Sequence, residues 1–152
     1  MRGPQGEELP GAILFACTMN SVRSPMAAAI MRHLFGKFVY VDAAGVRAGE
    51  LDPMAVEVME EIGIEIGKYH PKRFEDLVDS SFDLCITLSP EAQHRATDLA
   101  HNSAIEIEYW PTIDPTIMEG SREQRLDAYR TVRDALLRKI SARFMARRAS
   151  DT

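Results

Sequence analysis

Cys17-Thr18-Met19-Asn20-Ser21-Val22-Arg23 sets a cysteine and an arginine with five residues between them, and Ser24-Pro25 follows directly. A thiolate is a strong nucleophile, and a guanidinium is a planar fork that grips two oxygens of a tetrahedral anion at once. Where such a loop turns its N–H groups inward and runs into a helix, the peptide dipoles add a cradle for the anion. The same positive surroundings stabilise the thiolate. The segment therefore reads as a site for covalent catalysis on phosphorus. In that reading Cys17 attacks, and Arg23 holds the oxyanion together with the loop of Thr18, Met19, Asn20, Ser21, Val22 and Ser24. Asn20, Ser21 and Ser24 also suit hydrogen bonds that hold an irregular loop, and the Ser24 hydroxyl can donate to the sulfur. A lone cysteine is more often core than nucleophile; the loop around this one raises it to a candidate. A departing oxygen also needs a proton. Asp114, in Tyr109-Trp110-Pro111-Thr112-Ile113-Asp114-Pro115, is the expected acid, and then the base for the water that clears the intermediate.

Those residues need elements to position them. The apolar run Ala12 to Ala16, behind Pro-Gly, predicts a buried strand that ends at Cys17. Ser24 as N-cap and Pro25 at the first helical position predict a helix reaching Phe35, closed by Gly36. A strand over Phe38 to Ala44 follows, then a helix opened by Asp52-Pro53 and ended by Gly63. A short helix around Pro71 to Val78, a strand over Phe82 to Leu88 and a helix from Pro90 to about His101 come next. Ala104 to Tyr109 reads as a fourth strand. From Ser121, Leu126, Tyr129, Val132, Leu136, Leu137, Ile140 and Phe144 predict one long amphipathic helix, with a basic tail, Arg143 to Arg148, fraying into solvent. This alternation predicts an α/β fold in three layers: a four-stranded parallel sheet with helices on both faces, joined by right-handed crossovers. Ligands of such sheets bind beyond the carboxyl ends of the strands, where Cys17 and Asp114 both fall.

Length and composition bound the rest. The 152 residues suit one domain; residues 1–11 read as a flexible lead-in and 12–148 as a single catalytic domain. A net charge of -5 argues against a general nucleic-acid binder, and no stretch approaches the roughly 18 apolar residues of a membrane span. The polar N-terminus lacks a signal-peptide centre, and two cysteines are too few for a disulfide framework, so a cytoplasmic, reducing setting is expected. Cys85, inside the third strand, reads as a packed core thiol. His33, His70, His94 and His101 show no metal-ligand spacing, and no metal or cofactor is expected. Asp52 reads as a helix cap, and Asp42, Arg47, Glu91 and Arg122 as rim or surface charges. The oligomeric state is left open.

On Ile13-Leu-Phe-Ala-Cys17, the loop through Arg23-Ser24-Pro25, Ala43-Ala44-Gly45-Val46 and Asp114-Pro115, the chain resembles the low-molecular-weight protein tyrosine phosphatases. That family shares its fold with thioredoxin-coupled arsenate reductases. The resemblance implies a phosphatase-I-like fold, a phosphocysteine intermediate on Cys17, Arg23 as the oxyanion clamp, Asp114 as the acid and no metal. Asn20 and Ser24 match loop-supporting positions. Such phosphatases often carry a second cysteine where this chain has Val22, glycine where it has Met19, and tyrosines where it has Thr116 and Ile117. The implied activity is therefore a phosphomonoesterase acting on a phosphorylated protein, with phosphotyrosine among the expected groups, or on a small phosphoester. Thr18, Asn20, Ser21, Pro53 to Gly63 and Trp110 look closer to the reductases, yet the relay cysteines of those enzymes would fall at Ser89 and near Ala96. An arsenate reductase using an external thiol is the alternative. A non-catalytic phosphate-binding module is a third reading, disfavoured by the intact Cys17, Arg23 and Asp114.

Overall fold

The computed structural model describes residues 6, 8–77, 81–101 and 103–145. Four strands, β1 (Ala12–Cys17), β2 (Tyr40–Gly45), β3 (Leu84–Thr87) and β4 (Glu106–Tyr109), form one sheet in the order β2-β1-β3-β4. Every pairing is parallel, as the alternation of elements predicts. Along β1, Ile13, Phe15 and Cys17 face the larger core, while Leu14 and Ala16 face the smaller one on the opposite side. The chain steps from β1 outward to β2 and then returns to place β3 on the other flank of β1. The switch point thus lies between the carboxyl ends of β1 and β3.

Helices α1 (Arg23–Phe35), α2 (Pro53–Glu60) and α4 (Arg122–Phe144) supply the larger core, and α3 (Pro90–Leu99) covers the other face. In α4 the buried positions Leu126, Tyr129, Val132, Leu136, Ile140 and Phe144 recur at helical spacing and lie against α1, with Phe35 and Phe144 edge to face at 6.5 Å. Ser121 caps α4 in a reciprocal box with Gln124. Asp52 caps α2 through Met54 N–H (2.8 Å), and Ser89 caps α3. Gly63, at φ +79°, ends α2 in the left-handed conformation.

Four expectations change. The cap at Ser24 does not form: α1 begins at Arg23 and Val22 holds the capping position without a side-chain bond. The Ser24 hydroxyl is engaged by Cys17 instead. Pro25 sits within the first turn, where a helix has no N–H bond to lose. Arg143 does not fray; it lies within α4 and grips both Glu108 oxygens (2.7 Å to Oε2 and 3.2 Å to Oε1). The remainder of that basic tail falls outside the described residues. Finally, Leu9, inside the expected lead-in, is buried in the main core, and the predicted helix around Pro71 to Val78 is one 3-10 turn, Phe74–Asp76. Val78 itself lies outside the described residues.

Glu61, at the carboxyl end of α2, ties that helix to α4 through Arg130 (2.8 Å) and Arg133 (2.8 Å). Hydrogen bonds from these two guanidiniums pull its carboxyl down to about 2. A carboxylate depressed in this way stabilises the fold above its ordinary range near 4.3, and that contribution fades as pH falls toward 2. Glu61→Gln is expected to lower the melting temperature by a few degrees at pH 7, because the pair is partly solvent-screened. The gap should close near pH 2. Melts followed by circular dichroism at both pH values check this; a gap that persists in acid would mean the charge is not its source.

Candidate active site

The loop between β1 and α1 is shaped by its own carbonyls. Cys17 O accepts from Val46 N–H (3.2 Å), Thr18 O from Arg47 N–H (2.8 Å), Met19 O from Gly49 N–H (2.9 Å) and Ser21 O from Asp52 N–H (3.1 Å). All four oxygens are thereby drawn toward the segment after β2. These peptides are trans, so the N–H of each following residue points the opposite way. The amides of Thr18, Met19, Asn20 and Val22 accordingly face the loop's interior. The first amides of α1, uncapped by any side chain, open onto the same space.

Two residues permit this course. Asn20 takes φ +53°, a left-handed conformation asparagine tolerates better than most residues. Gly45 ends β2 so close to the loop that a Cβ there would stand 2.8 Å from Asn20 N and 2.4 Å from Arg47 O. Gly45 is therefore a packing requirement of the loop.

A cavity of about 50 Å³ lies inside the loop, lined by Cys17, Met19, Ser21, Val22, Arg23, Asp114 and Thr116. Cys17, at 2% exposure, is the floor. Its Sγ is 2.9 Å from Ser24 Oγ. Arg23 donates from Nη1 to Thr112 O (3.0 Å), and its Nη2 stands 3.9 Å from Asp114 Oδ2. Asp114 Oδ1 accepts from Thr116 N–H (2.9 Å) and the Thr116 hydroxyl (2.7 Å), which leaves Oδ2 toward the guanidinium. One side of the cavity thus carries sulfur and amide donors, and the other a carboxyl group.

All nine residues singled out from the sequence lie at or directly behind this cavity, in different roles. Met19, Ser21 and Val22 line it; Asn20 and Ser24 are fully buried behind it. Thr18 sends its hydroxyl sideways to Ser89 Oγ (2.9 Å), joining the ends of β1 and β3. Sequence reasoning missed Tyr69 and Lys72. Tyr69 donates its hydroxyl to Asn20 Oδ1 and lies 3.1 Å from Ala43 O, and Lys72 N–H donates to the same Asn20 oxygen (2.8 Å). Asp42, read as a rim charge, holds Lys72 Nζ at 2.6 Å. No pattern along the chain marks Tyr69, whose partner is 49 residues away.

Trp110 packs inward, edge-on to Phe15 at 6.4 Å with Lys139 Nζ 5.8 Å from its ring, and does not wall the cavity. The Asp114 loop instead exposes Ile113 and Ile117, each at 75%. Cys85 is buried among the residues of the opposite core, and burial pushes its thiol up to about 12. It faces away from Cys17 across the sheet. Arg47 and Glu91 pair at 3.1 Å. Among the described residues no group of three or more His, Cys, Asp or Glu is placed to hold a metal ion, and no helix is long and apolar enough to cross a membrane.

Residues 12–147 match the family model of the low molecular weight phosphotyrosine protein phosphatases. An arsenate reductase of Bacillus subtilis (strain 168) is 32% identical over 128 residues, covering 82% of this chain and 88% of its own. Among solved structures, a low molecular weight protein tyrosine phosphatase from T. tengcongensis superposes with a TM-score of 0.70 at 28% identity, covering 86% of this chain and 95% of its own. The YwlE arginine phosphatase, as a cysteine-to-serine mutant with a phosphorylated active-site serine, gives 0.68 at 25% identity over 84% and 89%.

Proposed function

The chain belongs to the low molecular weight phosphotyrosine protein phosphatase family, and on that premise we propose that it is a cytoplasmic, cysteine-dependent phosphatase hydrolysing phosphomonoesters. The observation that carries this reading is that Asp114 lines the same small cavity as Cys17 and Arg23. A nucleophile, an oxyanion clamp and a proton donor then meet around one tetrahedral group. Sγ of Cys17 attacks phosphorus while the inward amides and Arg23 hold the three non-bridging oxygens. As the ester P–O bond breaks, Asp114 gives its proton to the leaving oxygen. Asp114, now a carboxylate, takes a proton from the water that attacks the phosphocysteine. Inorganic phosphate leaves and the thiolate is restored.

The cavity accommodates the phosphoryl group, so whatever carries it rests on the rim. Met19 lines the cavity, Ile113 and Ile117 are exposed on the neighbouring Asp114 loop, and none of the described residues that line the cavity is aromatic. This favours phosphoester hydrolysis in general over selectivity for phosphotyrosine; phosphorylated proteins and small phosphoesters are both candidate substrates.

A second reading, arsenate reduction, is favoured by the similarity to enzymes of that name. Sulfur would attack arsenate and expel one of its oxygens as water; a thiol would then attack Sγ, the S–As electron pair leaving with arsenic as arsenite and the two sulfurs joined in a mixed disulfide at Cys17. That thiol would have to come from outside the chain, because Cys85 lies beyond the sheet and Ser89 caps α3.

Parallel assays separate the two: hydrolysis of an aryl phosphate, a phosphotyrosine peptide and a phosphoarginine peptide, and arsenate reduction with thioredoxin or a small thiol. Hydrolysis without reduction supports the phosphatase; reduction with little hydrolysis supports the reductase. Asp114→Asn adds a finer test. It is expected to slow alkyl phosphates, which have poor leaving groups, by about 10²–10³-fold and activated aryl phosphates far less. Equal losses on both would assign the acid elsewhere.

A further inference from the structure

We propose that Thr116 is a positioning residue whose hydroxyl keeps the Asp114 carboxyl from closing onto Arg23, so that the guanidinium stays open to a phosphoryl group; this rests on Arg23 and Asp114 serving one site, as the phosphatase reading has it.

The two charged groups line one cavity of about 50 Å³. Arg23 Nη2 and Asp114 Oδ2 stand 3.9 Å apart, near enough to attract and too far for a hydrogen bond. Arginine and a carboxylate commonly complete that approach as a two-pronged pair, with N to O distances of about 2.8 Å. Here the pair would close across the cavity and occupy the N–H groups that phosphate oxygens need. A carboxylate held in it would also favour its charged form, with no proton to give a leaving oxygen.

The gap is held from both sides. Arg23 Nη1 donates to Thr112 O (3.0 Å). Thr112 is itself fixed at the sheet, its N–H donating to Leu88 O (3.1 Å) and its hydroxyl to Trp110 O (2.8 Å). On the opposite side two donors from one residue meet at Asp114 Oδ1, Thr116 N–H (2.9 Å) and the Thr116 hydroxyl (2.7 Å). The N–H can only donate, so Oδ1 is an accepting end and Oδ2 is left to the cavity. Buried Pro115 stiffens the turn between the two residues. Any residue at 116 brings the N–H; the hydroxyl is what threonine adds. Thr116 is exposed, so water replaces part of that hold, and the expected effects are of a few fold.

The experiment is calorimetric titration of inorganic phosphate into the intact protein, for wild type, Thr116→Val, Thr116→Ser, Asp114→Asn and the Asp114→Asn, Thr116→Val double variant. Valine keeps the branched shape and the N–H and removes only the hydroxyl. Thr116→Val should weaken phosphate binding by about three- to fivefold, the weight of one exposed hydrogen bond. Serine, which keeps the hydroxyl, should bind phosphate within about twofold of wild type. Asp114→Asn removes the charge that draws the carboxyl toward Arg23. In that background Thr116→Val should change binding by less than about twofold. Unchanged affinity in Thr116→Val, a loss that persists beside Asp114→Asn, or a serine variant as weak as valine would each overturn the proposal. The expected pattern in a protein that hydrolyses no phosphoester would support the spacer while removing the hydrolytic reading.

Discussion

With serine in place of Cys17, hydrolysis of an aryl phosphate is expected to drop by at least about 10⁴-fold, the scale on which a covalent nucleophile acts. Binding of inorganic phosphate should persist within about tenfold, because the cradle is made by other groups. Its amides belong to a loop whose carbonyls are tied to Val46, Arg47, Gly49 and Asp52, and none of those bonds involves the residue 17 side chain. Serine also keeps a hydrogen-bonding atom opposite Ser24 Oγ. The two outcomes together separate loss of the nucleophile from collapse of the site. Turnover assays paired with calorimetric titration of phosphate read both. Hydrolysis retained in a clean Cys17→Ser preparation would end the phosphocysteine mechanism, and phosphate binding lost with it would mean that the thiolate shapes the cradle.

The second large effect is expected at Arg23. Its guanidinium reaches two ways at once, donating to Thr112 O at 3.0 Å while its other nitrogen stands 3.9 Å from Asp114 Oδ2. That span fixes the plane of the fork across the cavity and ties the Asp114 loop to the start of α1. Lysine brings the same charge at a single point, without the plane or the second arm. Arg23→Lys should therefore lose about 10²–10³-fold in kcat, with a smaller change in KM, since the clamp matters most when charge develops on the transferring group. Steady-state kinetics across an aryl phosphate concentration series distinguishes these. Near-normal kcat would remove Arg23 from the chemistry and leave it a structural tie between two loops.

Much of this was legible along the chain because β1, the loop and α1 are consecutive: a buried apolar run, a cysteine, short polar residues and a proline are local signals with local meanings. Asp114 was legible for a related reason, since it follows the last strand and parallel strands place their carboxyl ends on one rim. The misreading of Ser24 is instructive. Ser-Pro has a local meaning as a helix cap, but a buried sulfur 2.9 Å away drew the hydroxyl instead. Local propensity gave way to a tertiary contact. Tyr69 and Lys72 were not legible at all, because their contacts with Asn20 exist only once the segment after α2 has closed on the loop. Trp110 shows the same limit from the other side: its ring turns to Phe15 for packing, which no spacing announces.

Because the four outward carbonyls are held by main-chain partners, the outline of the oxyanion cradle is largely independent of the letters written at 18, 19, 21 and 22. Those positions can drift without unmaking the cradle. Only Asn20, with its left-handed backbone, and Gly45, with no room for a methyl group, are locked by shape. A scaffold of this kind separates what binds phosphate from what meets its carrier. Met19 and Val22 are then free variables, open to selection for a new clientele at little cost to the chemistry beneath them.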